Sequence, residues 1–128
     1  MEYLMLIFIH FIADFLFQND RMAIGKSKSV YWLTVHVSVY SIVLFFLSGF
    51  LIDDYVSRLY FVMLNFALHW ITDFFTSKAT TYLYLKHEKN PGEKFLFNSW
   101  RHWFFCMIGF DQILHYSALF FTYQYFIT

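Results

Sequence analysis

Residues 30–52, VYWLTVHVSVYSIVLFFLSGFLI, form an apolar run with no Asp, Glu, Lys or Arg and with one histidine, His36. A helix needs about 20 consecutive apolar residues to cross the hydrocarbon core of a bilayer. The run is long enough to do so. It therefore predicts a transmembrane helix that carries a histidine into the membrane.

The composition of the chain favours the same environment. Among its 128 residues, 59% are hydrophobic, 14% are charged and 19 are phenylalanine. Soluble domains carry about 25% charged residues, and a globule of this size has too little interior to hide so much apolar surface. We therefore expect an integral membrane protein. The formal net charge is zero, so we expect no nucleic-acid partner.

Turn-forming residues divide the chain into four predicted helices. The clearest break is Asn90-Pro91-Gly92, and Asp53-Asp54 forms a tighter turn. The helices are expected at about residues 2–18, 29–52, 54–86 and 98–127. Their suitable N-caps are Ser27 or Ser29, Asp53 or Asp54, and Asn98 or Ser99. Because the connections are short, the predicted fold is one all-α domain, residues 1–128, built as an antiparallel bundle of four transmembrane helices.

The basic residues predict the orientation of this bundle. Of nine Lys and Arg residues, only Arg58 lies near one end of the predicted bundle. The others lie near the opposite end: Arg21, Lys26, Lys28, Lys78, Lys86, Lys89, Lys94 and Arg101. Basic residues collect on the cytoplasmic side of membrane proteins. We therefore expect both termini outside the cell membrane.

Each predicted helix carries a histidine, and three of them also carry an aspartate four residues away. Positions i and i+4 share one face of a helix, so each pair projects two polar groups in one direction. We call the seven residues the His/Asp cluster: His10, Asp14, His36, His69, Asp73, Asp111 and His115. At about 1.5 Å per residue, six of them fall in one layer roughly 6 to 15 Å from the inner surface, with His115 a turn deeper.

Membrane burial of the three aspartates needs compensation. An aspartate at mid-bilayer costs roughly 2.5 to 3.5 kcal/mol, so three cost about 7 to 10 kcal/mol. Imidazoles and carboxylates are ligands for zinc, manganese and iron. We therefore expect the cluster to bind a divalent transition metal, zinc before manganese or iron. The simplest alternative is a set of His–Asp hydrogen bonds that hold the helices together.

The order of these motifs resembles a family of small bacterial and phage membrane proteins that is known only as a domain of unknown function. The segments that carry the resemblance are HFIADF at 10–15 with Gln18, KSKS at 26–29 with Trp32 and His36, His69 with Asp73, and GFDQ at 109–112 with His115 and Tyr116. The resemblance implies a four-helix, multi-pass protein of the bacterial inner membrane. It also implies that the His/Asp cluster is the functional site, but it supplies no reaction.

The ligand types and their setting also resemble membrane-embedded metal-dependent hydrolases, at the level of analogy. We therefore expect, as the leading hypothesis, a hydrolase of a lipid-like substrate. Asp14, Asp73 or Asp111 would act as general base on a metal-bound water. The residues expected to bind the substrate are Gln18, Lys78 and Gln112.

Three other functions fit the same residues. Intramembrane His and Asp residues also mark proton or metal-ion transporters, and so few helices would need a homo-oligomer to form a pore. A haem protein is disfavoured because an aspartate accompanies most of the histidines. A non-catalytic accessory protein would use the cluster only for folding.

Overall fold

The computed structural model describes residues 1–92, 97 and 99–127. Helices make up nearly all of this part of the chain, and it contains no strand. The elements are α1 Glu2–Phe11, which continues as a π-helical segment Ile12–Leu16; α2 Asp20–Gly25; α3 Val30–Leu47, followed by a 3-10 turn Ser48–Phe50; α4 Tyr55–Glu88; and α5 Trp100–Ile127. The predicted all-α class is thus confirmed. Lys94 and Asn98 lie outside the described residues.

Two of the expected caps make their hydrogen bonds. The carboxylate of Asp54 accepts from the Ser57 N–H at 2.7 Å at the start of α4, and the Ser99 hydroxyl accepts from the His102 N–H at 3.1 Å at the start of α5. Ser29 occupies the N-cap of α3, but its hydroxyl makes no capping bond. These caps satisfy backbone N–H groups that have no partner within the helix.

The stretch between the first two predicted helices is more ordered than its polar sequence suggests. We expected a simple polar connection over residues 19–29, whereas the structure has the short helix α2 there. The Asn19 side chain caps α2 by accepting from the Met22 N–H at 3.0 Å. Gly25 then lies so close to α3 that a Cβ on it would stand 2.7 Å from Cγ of Trp32. This close approach fixes α2 and the residue that follows it, Lys26, against the bundle.

The long helices α3, α4 and α5 pack side by side, and α1 lies in the groove between α3 and α5. An apolar core fills the end of the bundle that holds the chain's N-terminus. It contains Leu6, Ile9, Tyr40, Leu44, Phe61, Leu119 and Tyr123. In each of the four long segments, the polar residues of the His/Asp cluster follow directly on the other side of this core.

Two helices are long and apolar enough to cross a membrane, Val30–Phe50 and Trp100–Ile127. Many large apolar side chains on several helices face outward, for example Phe46, Met63, Phe110 and Phe121. Exposed apolar surface on this scale is typical of contact with lipid or with other proteins.

Candidate metal centre

The structure brings all seven residues of the His/Asp cluster together in the centre of the bundle. Six of them are buried, and Asp111 is largely buried. In each predicted i, i+4 pair the imidazole Nε2 approaches a carboxylate oxygen of its partner: 3.5 Å for His10 and Asp14, 3.5 Å for His69 and Asp73, and 3.4 Å for His115 and Asp111. The π-helical segment supplies Asp14, and regular α-helix supplies the other six.

Four ligand-type atoms converge at the middle of the cluster. The Nε2 atoms of His36 and His69 lie 3.3 Å apart. Oδ1 of Asp14 lies 3.0 Å from His36 Nε2 and 3.5 Å from His69 Nε2. Oδ2 of Asp73 lies 3.2 Å and 3.5 Å from the same two nitrogens. Two imidazoles and two carboxylates thus face one point from three helical segments.

A second group of ligand-type atoms overlaps the first. His115 Nε2 lies 3.2 Å from Oδ1 of Asp73, and His69, Asp73 and His115 form a trio that can hold a metal ion. The other such trio is Asp14, His36 and His69. Because His69 belongs to both trios, the two groups form one continuous site.

His10 and Asp111 lie beside these groups and are held by other partners. His10 Nδ1 is 3.3 Å from the Tyr40 hydroxyl, and its Nε2 is 3.2 Å from Gln112 Oε1. Since an amide oxygen only accepts, Nε2 donates here, and in the neutral ring Nδ1 then accepts from Tyr40. Asp111 accepts from the Thr76 hydroxyl at 2.5 Å and from the Gln112 amide at 3.0 Å. These contacts orient both side chains at the edge of the metal centre.

A cavity of about 320 Å³ adjoins the cluster on the side of α2. Asp14, Asp73 and Asp111 form its floor, and its walls come from the end of helix one, α2, α4 and α5. Two polar atoms in the wall, Gln18 Oε1 and Ser77 Oγ, are buried and have no hydrogen-bond partner among the described residues. The cavity therefore connects the carboxylates to the end of the bundle that carries the basic residues.

Lys26 is the site residue that sequence reasoning missed. It follows α2, and its Nζ lies 2.9 Å from Oδ2 of Asp73. Burial alone would lower the pKa of this ammonium, but the negative charges of Asp73 and Asp14 outweigh burial and raise its pKa above 10.5. Lys26 therefore remains charged and partly neutralises the three aspartates.

Comparison with known proteins places this chain among relatives without an assigned activity. A family described as a protein of unknown function, DUF3307, matches residues 3–128. The chain belongs to the DUF3307 family. No curated protein and no solved structure matches it. The function of this DUF3307 protein is therefore argued from the geometry of its site.

The three residues expected to bind substrate are placed differently in the DUF3307 protein. Gln18 and Gln112 line the cavity beside the carboxylates. Lys78 does not line that cavity, and its Nζ stands over the ring of Phe74, 3.3 Å from the centroid. The structure therefore offers Lys26, rather than Lys78, as the cation nearest the cluster.

Proposed function

We propose that this protein is a four-span membrane protein that binds a divalent transition metal ion in its His/Asp cluster and uses it to hydrolyse a lipid-like substrate. His36, His69, Asp14 and Asp73 would hold the ion, with His115 as a further ligand to it or to a second ion. Zinc is the leading candidate for these ligands, and manganese or iron are the alternatives.

The observation that carries the metal is the crowding around His36 Nε2. This nitrogen lies within 3.3 Å of Asp14, Asp73 and His69 at once. An imidazole nitrogen has a single N–H or a single lone pair, so hydrogen bonds can satisfy one of these contacts but not all three. A tetrahedral zinc ion satisfies them together, because its ligand atoms lie about 3.3 to 3.6 Å apart for bonds of about 2.0 to 2.2 Å.

The cavity supports the hydrolytic part of the proposal. A metal ion at this site would supply an activated water at the cavity floor. Asp111 belongs to neither trio and lines the cavity, so its carboxylate is placed to accept a proton from that water. Gln18 and Gln112 would hold the polar part of the substrate.

The membrane arrangement supports a lipid-like substrate. We place the cavity at the cytoplasmic side of the bacterial inner membrane, with both termini outside, because the basic residues collect at that end. A lipid in the inner leaflet would then have its polar part at the depth of the cavity.

Transport of protons or metal ions is the second candidate. It is favoured by the unbroken series of polar contacts from His10 to Lys26. It is disfavoured by the apolar core, which closes the other end of the bundle within one chain. A channel would therefore have to form between copies of the protein. Metal-dependent ion flux into liposomes would support this candidate over the hydrolase.

The metal is tested by elemental analysis of the detergent-purified protein beside two alanine variants. We expect about one equivalent of transition metal in the wild type and little in His69→Ala, since His69 belongs to both trios. His87→Ala is the matched control, because His87 lies about four turns beyond Asp73 on the same helix, and it should retain the metal. A wild-type protein that stays metal-free after zinc reconstitution would refute the proposal.

A further inference from the structure

Lys26 and the expected metal ligands share one atom. Oδ2 of Asp73 accepts from the Lys26 ammonium at 2.9 Å, and the same oxygen is one of the four atoms that converge with His36 and His69. A divalent cation bonded to this oxygen would therefore lie within a few ångströms of a buried ammonium. The two positive charges would repel each other strongly in a site of low effective dielectric.

The neighbouring cavity offers Lys26 a second position. Lys26 lines this cavity together with Gln18 and Ser77. Gln18 Oε1 and Ser77 Oγ are the two buried wall atoms that lack a partner in the described chain. Buried polar atoms without partners are uncommon in folded proteins, and both of these atoms can accept a hydrogen bond from an ammonium group.

We infer that Lys26 is a built-in cation that stands in for the metal: it binds Asp73 when the site is metal-free, and an arriving ion displaces its ammonium into the cavity. The inference rests on the proposed metal site and assigns Lys26 a role there. It makes Lys26 a determinant of metal affinity, and it places a positive charge in the cavity only when the ion is bound.

The first test measures zinc affinity by competition with a chromogenic chelator, using the full-length protein in detergent. Lys26→Met removes the competing charge and should tighten zinc binding at least tenfold. Lys26→Gln keeps a hydrogen-bond donor without the charge, and it should do the same if Lys26→Met folds poorly. Lys28→Met is the matched control and should leave affinity unchanged, because Lys28 is exposed and has no carboxylate within 4 Å among the described residues.

The second test follows the ammonium itself. Lys26 is protected by Asp73 in the metal-free protein, so an amine-reactive reagent should label it slowly. Zinc should raise its labelling several-fold relative to Lys28, as measured by mass spectrometry of the peptides. Faster binding to the variants by charge removal alone would not change this labelling.

The outcomes separate the inference from the function that it rests on. Zinc binding with equal affinity in wild type and both Lys26 variants would overturn the inference and leave the metal site standing. Tighter binding in the variants with Lys26 still protected in zinc-loaded wild type would overturn the displacement. Zinc binding to none of the proteins would overturn the proposed function and the inference together.

Discussion

At the residue scale, the ion pair between Lys26 and Asp73 predicts a large and non-additive effect on stability. Asp73→Ala leaves the Lys26 ammonium buried without its partner, which typically costs about 3 to 5 kcal/mol. Adding Lys26→Met removes that unpaired charge, so the double variant should be more stable than Asp73→Ala alone. Thermal unfolding of the metal-free proteins in detergent, followed by circular dichroism, measures both effects. Strictly additive losses would show that the pair is not coupled.

The cluster was predictable because its spacing is regular. Three His–Asp pairs at i, i+4 announce shared helix faces, and matched depth brings the helices' polar residues to one layer. Lys26 carried no such signal, since it stands in a short stretch with other cations and its position depends on how α2 packs. The sequence likewise could not distinguish His10, which bonds to Tyr40 and Gln112, from His36 and His69, which meet at the centre.

At the element scale, the contact between α2 and α3 predicts the effect of a single methyl group. In Gly25→Ala the new Cβ would stand 2.7 to 2.8 Å from three atoms of the Trp32 side chain, so α2 must shift. Overpacking of this kind costs about 1 to 3 kcal/mol, and the shift should also disturb Lys26. Thermal unfolding measures the loss of stability.

Gly109→Ala is the control for this substitution. Nothing lies within 4 Å of a Cβ at this position in α5, and alanine is favoured over glycine inside helices by up to about 1 kcal/mol. It should therefore be neutral or stabilising. Equal destabilisation by both substitutions would contradict the close packing of α2.

The cap of α4 predicts a dependence on acidity at the outer end of the bundle. The Ser57 N–H bond lowers the pKa of the exposed Asp54 carboxyl below 3.8. A carboxyl whose folded pKa is depressed stabilises the fold above its unfolded pKa, and this contribution disappears as pH falls through the folded value. Asp54→Asn lacks this titration, so the wild type should lose its advantage over the variant only below about pH 4. An advantage that persists unchanged at pH 2 would contradict the cap.

At the scale of the whole molecule, the charge distribution predicts the topology. Both termini should lie outside the cytoplasmic membrane. A C-terminal alkaline phosphatase fusion should therefore be active in cells, whereas a C-terminal fluorescent protein that folds only in the cytoplasm should stay dark. The reverse pattern would invert the bundle and move the cavity to the outer leaflet.

The helical class of the whole molecule followed from hydrophobicity, but the helix count did not. Apolar runs such as residues 30–52 predict long helices because lipid requires internally bonded backbone. The short helix α2 has no apolar run, and its existence depends on the Asn19 cap and on packing against Trp32. Two helices meet the length and apolarity of a membrane span by themselves, while the first and third predicted helices carry more polar residues for the site.

The π-helical turn in helix one has an evolutionary consequence. Phe17 N–H donates to the carbonyl of Ile12, five residues earlier, at 3.2 Å, so this turn holds one residue more than a regular turn. Deleting one residue within Ile12–Leu16 would restore a regular helix and rotate everything beyond it by about 100° relative to His10. A gene that lost a single codon here would keep its membrane segment but lose the alignment of Asp14 and Gln18 with the site. Lineages that retain the site should therefore tolerate substitutions in this turn far more readily than changes in its length.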